Sequence, residues 1–172
     1  SVTTIGDSAF RGTGLTSVVI PNSVTSIGEM AFYDDEALVS VTIGSGVTSM
    51  GQFAFSDCEN LVSVTIPPLL TVIPYGAFYK TALTSVVIPD GVTEISTYAF
   101  YGINSLTSIT IPDSVTTIGG SDISLSPFWT SPNVVCTKTC AVKWLSSDNP
   151  VTGEAGCTVA QIATLTCEYT GC

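Results

Sequence analysis

Few side chains in this chain of 172 residues are suited to catalysis. It contains no histidine, so the usual general base and the commonest metal ligand are both missing. Nucleophile arrangements of the Ser-His or Cys-His kind are therefore excluded, and no phosphate-binding glycine loop or EF-hand spacing occurs. The acids follow the registers of a repeat instead of forming a distinct pair that could hydrolyse a glycoside. We expect a protein that is not an enzyme and that needs no cofactor.

Two registers of acidic residues could in principle bind a cation. Asp34 and Asp57 share one register with Lys80, and Glu36 and Glu59 share another. Carboxylate oxygens are ligands that calcium prefers, so a site built from these four acids is conceivable. Charges gather in the outer turns of repeats, however, and solvated surface charge is the better interpretation. We predict no metal site.

Cysteine is the other reactive side chain, and five of the six cysteines lie in the last 37 residues. This distribution favours an oxidising compartment, and we expect an extracellular or cell-surface protein. Disulfides are favoured over zinc because the cysteines have no histidine partners and no paired C-x-x-C spacing. The connectivity stays open, including whether Cys58 pairs. The disulfide candidates are Cys136, Cys140, Cys157, Cys167 and Cys172.

The charge of the chain limits its partners. Four Lys and Arg residues stand against 14 Asp and Glu residues, which gives a formal net charge of −10. Such a chain repels nucleic acid phosphates and anionic lipid surfaces. No apolar run approaches the roughly 18 to 20 residues that a membrane span needs. We predict neither nucleic acid binding nor membrane insertion.

A repeat of 22 or 23 residues positions Cys58 and the acids considered for cation binding. Each unit reads approximately V-T-x-I-G-x-x-A-F, then four or five variable residues, then L-x-S-V-x-I-P. A period in the twenties is typical of a solenoid, which works by presenting a surface. We predict five full units and a partial sixth over residues 1–119, followed by a disulfide-rich cap over residues 120–172. The Ala-Phe pair that marks the period occurs at 9–10, 31–32, 54–55, 77–78 and 99–100.

The period also predicts which side chains of a unit are buried. Alternate residues of a strand point to opposite faces, so Val18 and Ile20 belong to the core while Ser17 and Val19 face outward. Coils stack about 4.7 Å apart, which lines up equivalent residues in ladders and makes a buried column of the phenylalanines from Phe10 to Phe100. The candidate binding residues on the outward ladders are Ser17, Ser40, Ser63, Ser85, Ser108, Thr42 and Thr65.

The boldest departure from the repeat lies between Pro68 and Tyr75. Leu69 and Val72 replace small or polar residues, and Tyr75 has no counterpart in the other units. If Leu69, Val72 and Tyr75 face outward, they form an apolar and aromatic contact patch. Sequence drift, or local packing around an altered turn, is the alternative interpretation.

Both ends of the repeat array raise further expectations. No polar cap precedes the first unit, so we expect that more chain precedes Ser1 or that this end docks on another subunit. At the other end, residues 139–145 could form a short helix that packs against the last coil.

The units resemble the BspA-like, or Treponema-type, leucine-rich repeat, most closely in the segment LTSVVIPDGVTEISTYAF at residues 83–100. The resemblance covers residues 1–118. It implies an open, right-handed, β-rich solenoid with short strands and short helical or turn segments, found on surface and secreted proteins and associated with adhesion. It implies no enzymatic activity, and it implies a buried structural thiol at Cys58.

These observations together predict a recognition or adhesion module that binds a protein or glycan partner through the solenoid surface. A subunit of an extracellular structural assembly or filament, formed by self-association, is the alternative. The Ser and Thr ladders also resemble ice-binding surfaces, which we favour less because Val19, Val87 and Glu94 interrupt the rows.

Overall fold

The chain forms a parallel β-solenoid of stacked coils. The computed structural model describes residues 1–119 and three strand segments beyond them, residues 135–137, 142–144 and 152–153. The repeat solenoid that the period predicts is therefore confirmed. Each coil has three sides, which differ in backbone structure.

The first side, here called the strand face, carries the longer strand of each coil. Equivalent residues of successive strands pair, as Ser17 does with Ser40 and Ser40 with Ser63, because the unit length is nearly constant. These strands are β2 (Ser17–Ile20), β4 (Ser40–Ile43), β6 (Ser63–Thr65), β8 (Ser85–Val87) and β10 (Ser108–Thr110).

The second side, the short-strand side, carries strands of two residues. Threonines next to these strands add side-chain hydrogen bonds between coils: Thr25 Oγ1 donates to Thr3 O at 3.2 Å, and Thr48 Oγ1 donates to Thr25 O at 3.2 Å. The strands are β1 (Thr4–Ile5), β3 (Ser26–Ile27), β5 (Ser49–Met50), β7 (Val72–Ile73), β9 (Glu94–Ile95) and β11 (Thr117–Ile118).

The third side, the turn side, contains Ala-Phe and consists of tandem turns. Backbone N–H groups here donate to the next coil, as Phe32 N does to Ala54 O at 2.8 Å and Asp34 N to Ser56 O at 3.0 Å. Two registers on this side have a left-handed backbone, with φ between 52° and 77°. One register comprises Ser8, Met30, Phe53, Gly76 and Tyr98, and the other Gly12, Asp34, Asp57, Lys80 and Gly102.

The core contains the predicted column of phenylalanines. Phe32, Phe55, Phe78 and Phe100 are fully buried, and neighbouring rings stack with centroids 5.0 to 5.7 Å apart. Phe10 corrects the prediction, because its side chain is 39% exposed although its ring stacks on Phe32. It lies in the first coil, which packs against another coil on one side only.

The third and fourth coils are joined less completely than the others. The sheets are interrupted between β5 and β7 and again between β6 and β8. On the short-strand side, the N–H groups of Gly28, Gly51 and Ser96 each donate to the preceding coil at 2.8 to 2.9 Å. Pro74 occupies the same register and has no N–H to donate.

Three further strands extend the sheets beyond residue 119. Strand β12 (Val135–Thr137) pairs in parallel with β10, and β13 (Val142–Trp144) pairs in parallel with β11. Strand β14 (Thr152–Gly153) is antiparallel to β13. The predicted helix over residues 139–145 is wrong where the structure describes it, because residues 142–144 are paired as a strand. The other residues of the predicted cap, and the side chains of its disulfide candidates, lie outside the described residues.

Candidate functional site

The strand face presents the predicted ladders of small side chains. Ser17, Ser63, Ser85, Ser108, Thr42 and Thr65 are exposed, and Ser40 is half-buried. Val19 and Val87 continue the threonine ladder and are 77% and 69% exposed. The five strands β2, β4, β6, β8 and β10 contain no charged residue. The face is therefore neutral and weakly apolar.

The three residues of the predicted apolar patch separate in the structure. Leu69 and Val72 are 56% and 37% exposed. Tyr75 is half-buried, and its ring contacts Phe53 and Tyr98 on the turn side. The aromatic part of the predicted patch thus belongs to a different surface.

Cys58 lies in a register of buried polar side chains that bond within the core. Its Sγ donates to Phe32 O at 3.1 Å, and it is a free thiol. Burial raises the pKa of Cys58 from 9.0 to about 12. In the same register, Asp35 Oδ2 accepts a hydrogen bond from Thr13 Oγ1 at 2.7 Å. The thiol is structural, as the resemblance implies.

The acids considered for calcium binding do not form a metal site in the part of the chain that the structure describes. Asp57 Oδ1 instead lies 3.6 Å from Lys80 Nζ. Interactions with Tyr79 and then with Asp57 raise the pKa of Lys80 above its ordinary value. What Asp34, Asp57 and Lys80 share is the left-handed backbone of their register.

The turn side also carries an aromatic groove that the sequence analysis missed. It encloses about 420 Å³ and is lined mainly by two rows of side chains. One row contains the residues that follow Ala-Phe, among them Tyr33, Ser56, Tyr79 and Tyr101, and the other contains residues just before Ala-Phe, namely Met30, Phe53, Tyr75 and Tyr98. Rings contact each other along both rows: Phe53 and Tyr75 meet edge to face at 5.2 Å, and Tyr79 and Tyr101 stack at 5.3 Å. The lining residues are Met30, Tyr33, Phe53, Ser56, Asp57, Tyr75, Tyr79, Tyr98 and Tyr101.

One sequence signal could have revealed this groove. The residue after Ala-Phe is Arg11, Tyr33, Ser56, Tyr79 and Tyr101 in successive units. Because equivalent residues stack, three tyrosines in one register predict an aromatic row beside the phenylalanine column. That register varies more than the repeat consensus, so it is lost when only invariant positions are considered.

Comparison with known families agrees with the coil structure. The model of the BspA type leucine-rich repeat region matches residues 3–126 in six copies. The chain belongs to the BspA-type leucine-rich repeat family. No protein with a curated functional description matches this BspA-type chain.

Solved structures of similar proteins share the solenoid. A leucine-rich repeat protein of T. pallidum is 28% identical, with a TM-score of 0.74 over 83% of this BspA-type chain and 66% of that chain. A leucine-rich cell surface protein of Faecalibacterium prausnitzii is 26% identical, with a TM-score of 0.53 over 86% and 52%. The pneumococcal vaccine antigen PcpA, at 20% identity, has a TM-score of 0.57 over 73% and 31% and is similar in fold alone. The chain thus spans between about a third and two thirds of the length of these proteins.

The described coils also bear on membrane association. Among these residues, no helix has both the length and the apolar character required to cross a bilayer.

Proposed function

We propose that this chain is a non-enzymatic protein-recognition module of the cell surface or extracellular space, and that its partner binds the strand face. The observation that carries this proposal is the lack of charge on β2, β4, β6, β8 and β10 in a chain whose net charge is −10. Charged residues are depleted at the centre of protein interfaces. The small side chains of the ladders also allow a partner to approach the strands closely.

The size of the strand face indicates where the interface continues. Five coils at about 4.8 Å and four residues at about 3.3 Å give a surface of roughly 300 Å². A stable interface buries about 800 Å² on each partner, so the strand face alone is too small. Exposed apolar residues border the face, with Val39 and Val62 45% and 42% exposed and Leu69 56% exposed. We place the remaining contact on these residues.

Surface location is supported by two independent features. The F. prausnitzii relative is described as a cell surface protein and shares 26% of its residues with this chain. Five of the six cysteines lie in the last 37 residues, a distribution that favours an oxidising compartment. Both features fit a module that meets its partner outside the cytosol.

The proposal is tested by placing charge on the strand face. The labelled chain is titrated over purified secreted and matrix proteins, and every saturable interaction is remeasured with Thr65→Arg and Val87→Arg. Each variant should weaken binding at least about tenfold, because a charge at the centre of an interface is desolvated. Asn104→Arg, at an exposed turn residue, adds the same charge elsewhere and should leave binding unchanged.

Two outcomes would contradict this assignment. Equal loss with all three variants would mean that net charge controls the interaction, and no loss would place the partner on another side. A parallel titration over immobilised glycans separates protein from glycan recognition. Sedimentation velocity of the same variants distinguishes partner binding from self-association.

A further inference from the structure

The aromatic groove contains a vacancy one ring wide. Tyr79 and Tyr101 stack with centroids 5.3 Å apart and planes within 7°, so rings on adjacent coils of this row lie at stacking distance. Ser56 occupies the same register between Tyr33 and Tyr79 and is buried. Two coil spacings of about 4.8 Å leave roughly 10 Å between the neighbouring coils. Because Ser56 itself is fully buried, a planar group would enter outward of it, between the side chains of Tyr33 and Tyr79 that line the groove.

Two coils before Ser56, the same row contains a cation. Arg11 precedes Tyr33 in this register, and its guanidinium lies 4.8 Å from the centroid of the Tyr33 ring. Lys80 Nζ lies 5.3 Å from the centroid of the Tyr79 ring. Both basic side chains that the structure describes in the first five coils therefore contact tyrosines of the groove. The surface has an affinity for cations that is visible within the molecule itself.

A carboxylate lies beside the vacancy. Ser56 Oγ donates a hydrogen bond to Asp57 Oδ2 at 2.6 Å, which orients the carboxylate. Lys80 Nζ is 3.6 Å from the other oxygen of Asp57, but half of the Lys80 side chain is exposed. An ion pair this exposed is weak, so a competing cation can displace it. The net charge of −10 adds a long-range attraction for basic ligands.

We propose that the groove binds an arginine side chain of a partner polypeptide. Its guanidinium enters the vacancy at Ser56, stacks against Tyr33 and Tyr79 and donates hydrogen bonds to Asp57. Arginine fits better than lysine because a planar guanidinium both stacks on rings and pairs with a carboxylate through two N–H groups. A neutral sugar could stack on the rings but would gain nothing from Asp57. The groove lies on the turn side, so this proposal does not depend on recognition by the strand face.

Titration calorimetry of the whole chain with blocked peptides tests the proposal. The probe is acetyl-Gly-Arg-Gly-Arg-Gly-amide in low salt, compared with the same peptide carrying lysine or citrulline, a neutral analogue of arginine. The arginine peptide should bind saturably, and the citrulline peptide about tenfold more weakly, because the cation–aromatic and ionic terms are lost. The lysine peptide should lie between them, and added salt should weaken binding of the two charged peptides.

Two variants locate the binding within the groove. Ser56→Tyr fills the vacancy and should abolish binding of the arginine peptide. Asp57→Asn keeps a residue that tolerates the left-handed backbone and should weaken binding about tenfold. Glu36→Gln removes the same charge from an exposed residue that does not line the groove, and should change affinity little.

Several results would overturn the proposal. Equal affinity for the arginine and citrulline peptides, or no binding of any peptide, would exclude recognition of the guanidinium. Retention of full affinity in both Ser56→Tyr and Asp57→Asn would place the peptide elsewhere. If Ser56→Tyr fails to fold, as judged by circular dichroism, Asp57→Asn against Glu36→Gln still decides. Saturable binding of a neutral oligosaccharide that Asp57→Asn leaves intact, without binding of the arginine peptide, would make the groove a sugar site.

Discussion

Two columns of side chains run next to each other along the turn side, one residue apart in every coil. The inner column contains Phe32, Phe55, Phe78 and Phe100, which are fully buried and stack without interruption. The outer column contains Arg11, Tyr33, Ser56, Tyr79 and Tyr101, and its tyrosines are half-buried. The inner column repeats phenylalanine because a close-packed core constrains the size and shape of each side chain. The outer column varies because its side chains are partly exposed to solvent and are less constrained by packing.

The difference in burial between the two columns indicates that a ligand can bind at the outer column and not at the inner one. Both columns have the same spacing, so the solenoid itself aligns the rings of each. In the inner column a missing ring would leave a cavity in the core, which costs stability. In the outer column Ser56 has no ring, and its register lines an open groove instead of the core.

Removing one ring from the inner column should have the largest effect. We expect Phe55→Ala to lower the free energy of unfolding by about 3–5 kcal/mol, because the cavity is closed on both sides by neighbouring coils. Urea denaturation measures the change. Phe10→Ala is the matched control, and its loss should be clearly smaller because Phe10 is 39% exposed. Equal losses would show that position in the column does not matter.

A methyl group at Gly76 should perturb the groove wall. Gly76 has φ of +61°, and a Cβ there would lie 2.5 Å from Cδ1 and Cε1 of Phe53. We expect Gly76→Ala to cost about 2–4 kcal/mol, from left-handed backbone strain and displacement of the Phe53 ring.

Gly12→Ala provides the control for backbone strain in that experiment. Gly12 also has φ of +61°, but the nearest atom to its Cβ position is Asp34 O at 3.8 Å. It should cost only about 1 kcal/mol. Near-ultraviolet circular dichroism should change for Gly76→Ala alone. Indistinguishable stability and spectra would argue that Phe53 does not pack tightly on Gly76.

Alkaline pH should reveal how Cys58 supports the inner column. The pKa of Cys58 is raised from 9.0 to about 12 in the folded state, where its Sγ donates to Phe32 O. Above about pH 9 the unfolded state loses this proton first, so the stability contribution is complete below that pH and is lost as the pH rises towards 12. The extra slope is at most about 1.4 kcal/mol per pH unit.

Cys58→Ser removes this titration and keeps a hydrogen-bond donor. Its free energy of unfolding should therefore fall less steeply than that of the natural chain between pH 9 and 11. The two proteins are otherwise identical, so the difference between their curves isolates Cys58. Parallel curves would mean that the thiol is not buried in solution.

Substitution on the strand face should have the smallest effect. Val87 is 69% exposed, and we expect Val87→Thr to change the free energy of unfolding by less than about 0.5 kcal/mol. Its neighbour Val86 is 3% exposed, and Val86→Thr should be clearly destabilising because it buries a hydroxyl group. Thermal unfolding of the two variants compares the outward-facing residue of the strand with its inward-facing neighbour. Similar losses at both positions would contradict the assignment of faces.

The sequence predicts the features that repeat. Alternation in the strands places Ile20 inside and Val19 outside, and the recurring Ala-Phe places Phe55 and its neighbours in the core. Both follow from period and burial alone, because equivalent residues must stack.

Features that depend on departures from the repeat consensus cannot be predicted from the period. The charges at Asp34, Asp57 and Lys80 predict surface chemistry, whereas the left-handed backbone of their register shows in residue type only at its two ends, where glycine occurs. The short distance in sequence between Leu69 and Tyr75 predicts a shared patch, whereas the Tyr75 ring packs on Phe53 from the preceding coil. The groove is formed by residues about 23 positions apart in sequence. Ser56 matters to it only because tyrosines, Tyr33 and Tyr79, occupy the same register in the adjacent coils.

Pro74 gives the coil stack an uneven mechanical strength. In a linear array every coil boundary carries the whole of an axial load, and stability is a sum of nearest-neighbour terms. The boundary between the third and fourth coils lacks a donor at Pro74, and both of its sheets are interrupted there. A pulling force along the axis should therefore part the stack first at this boundary, into a block of three coils and the coils beyond. Phe53 and Tyr75 lie on opposite sides of that boundary, so separation of the coils there would also break their ring contact and disrupt the groove.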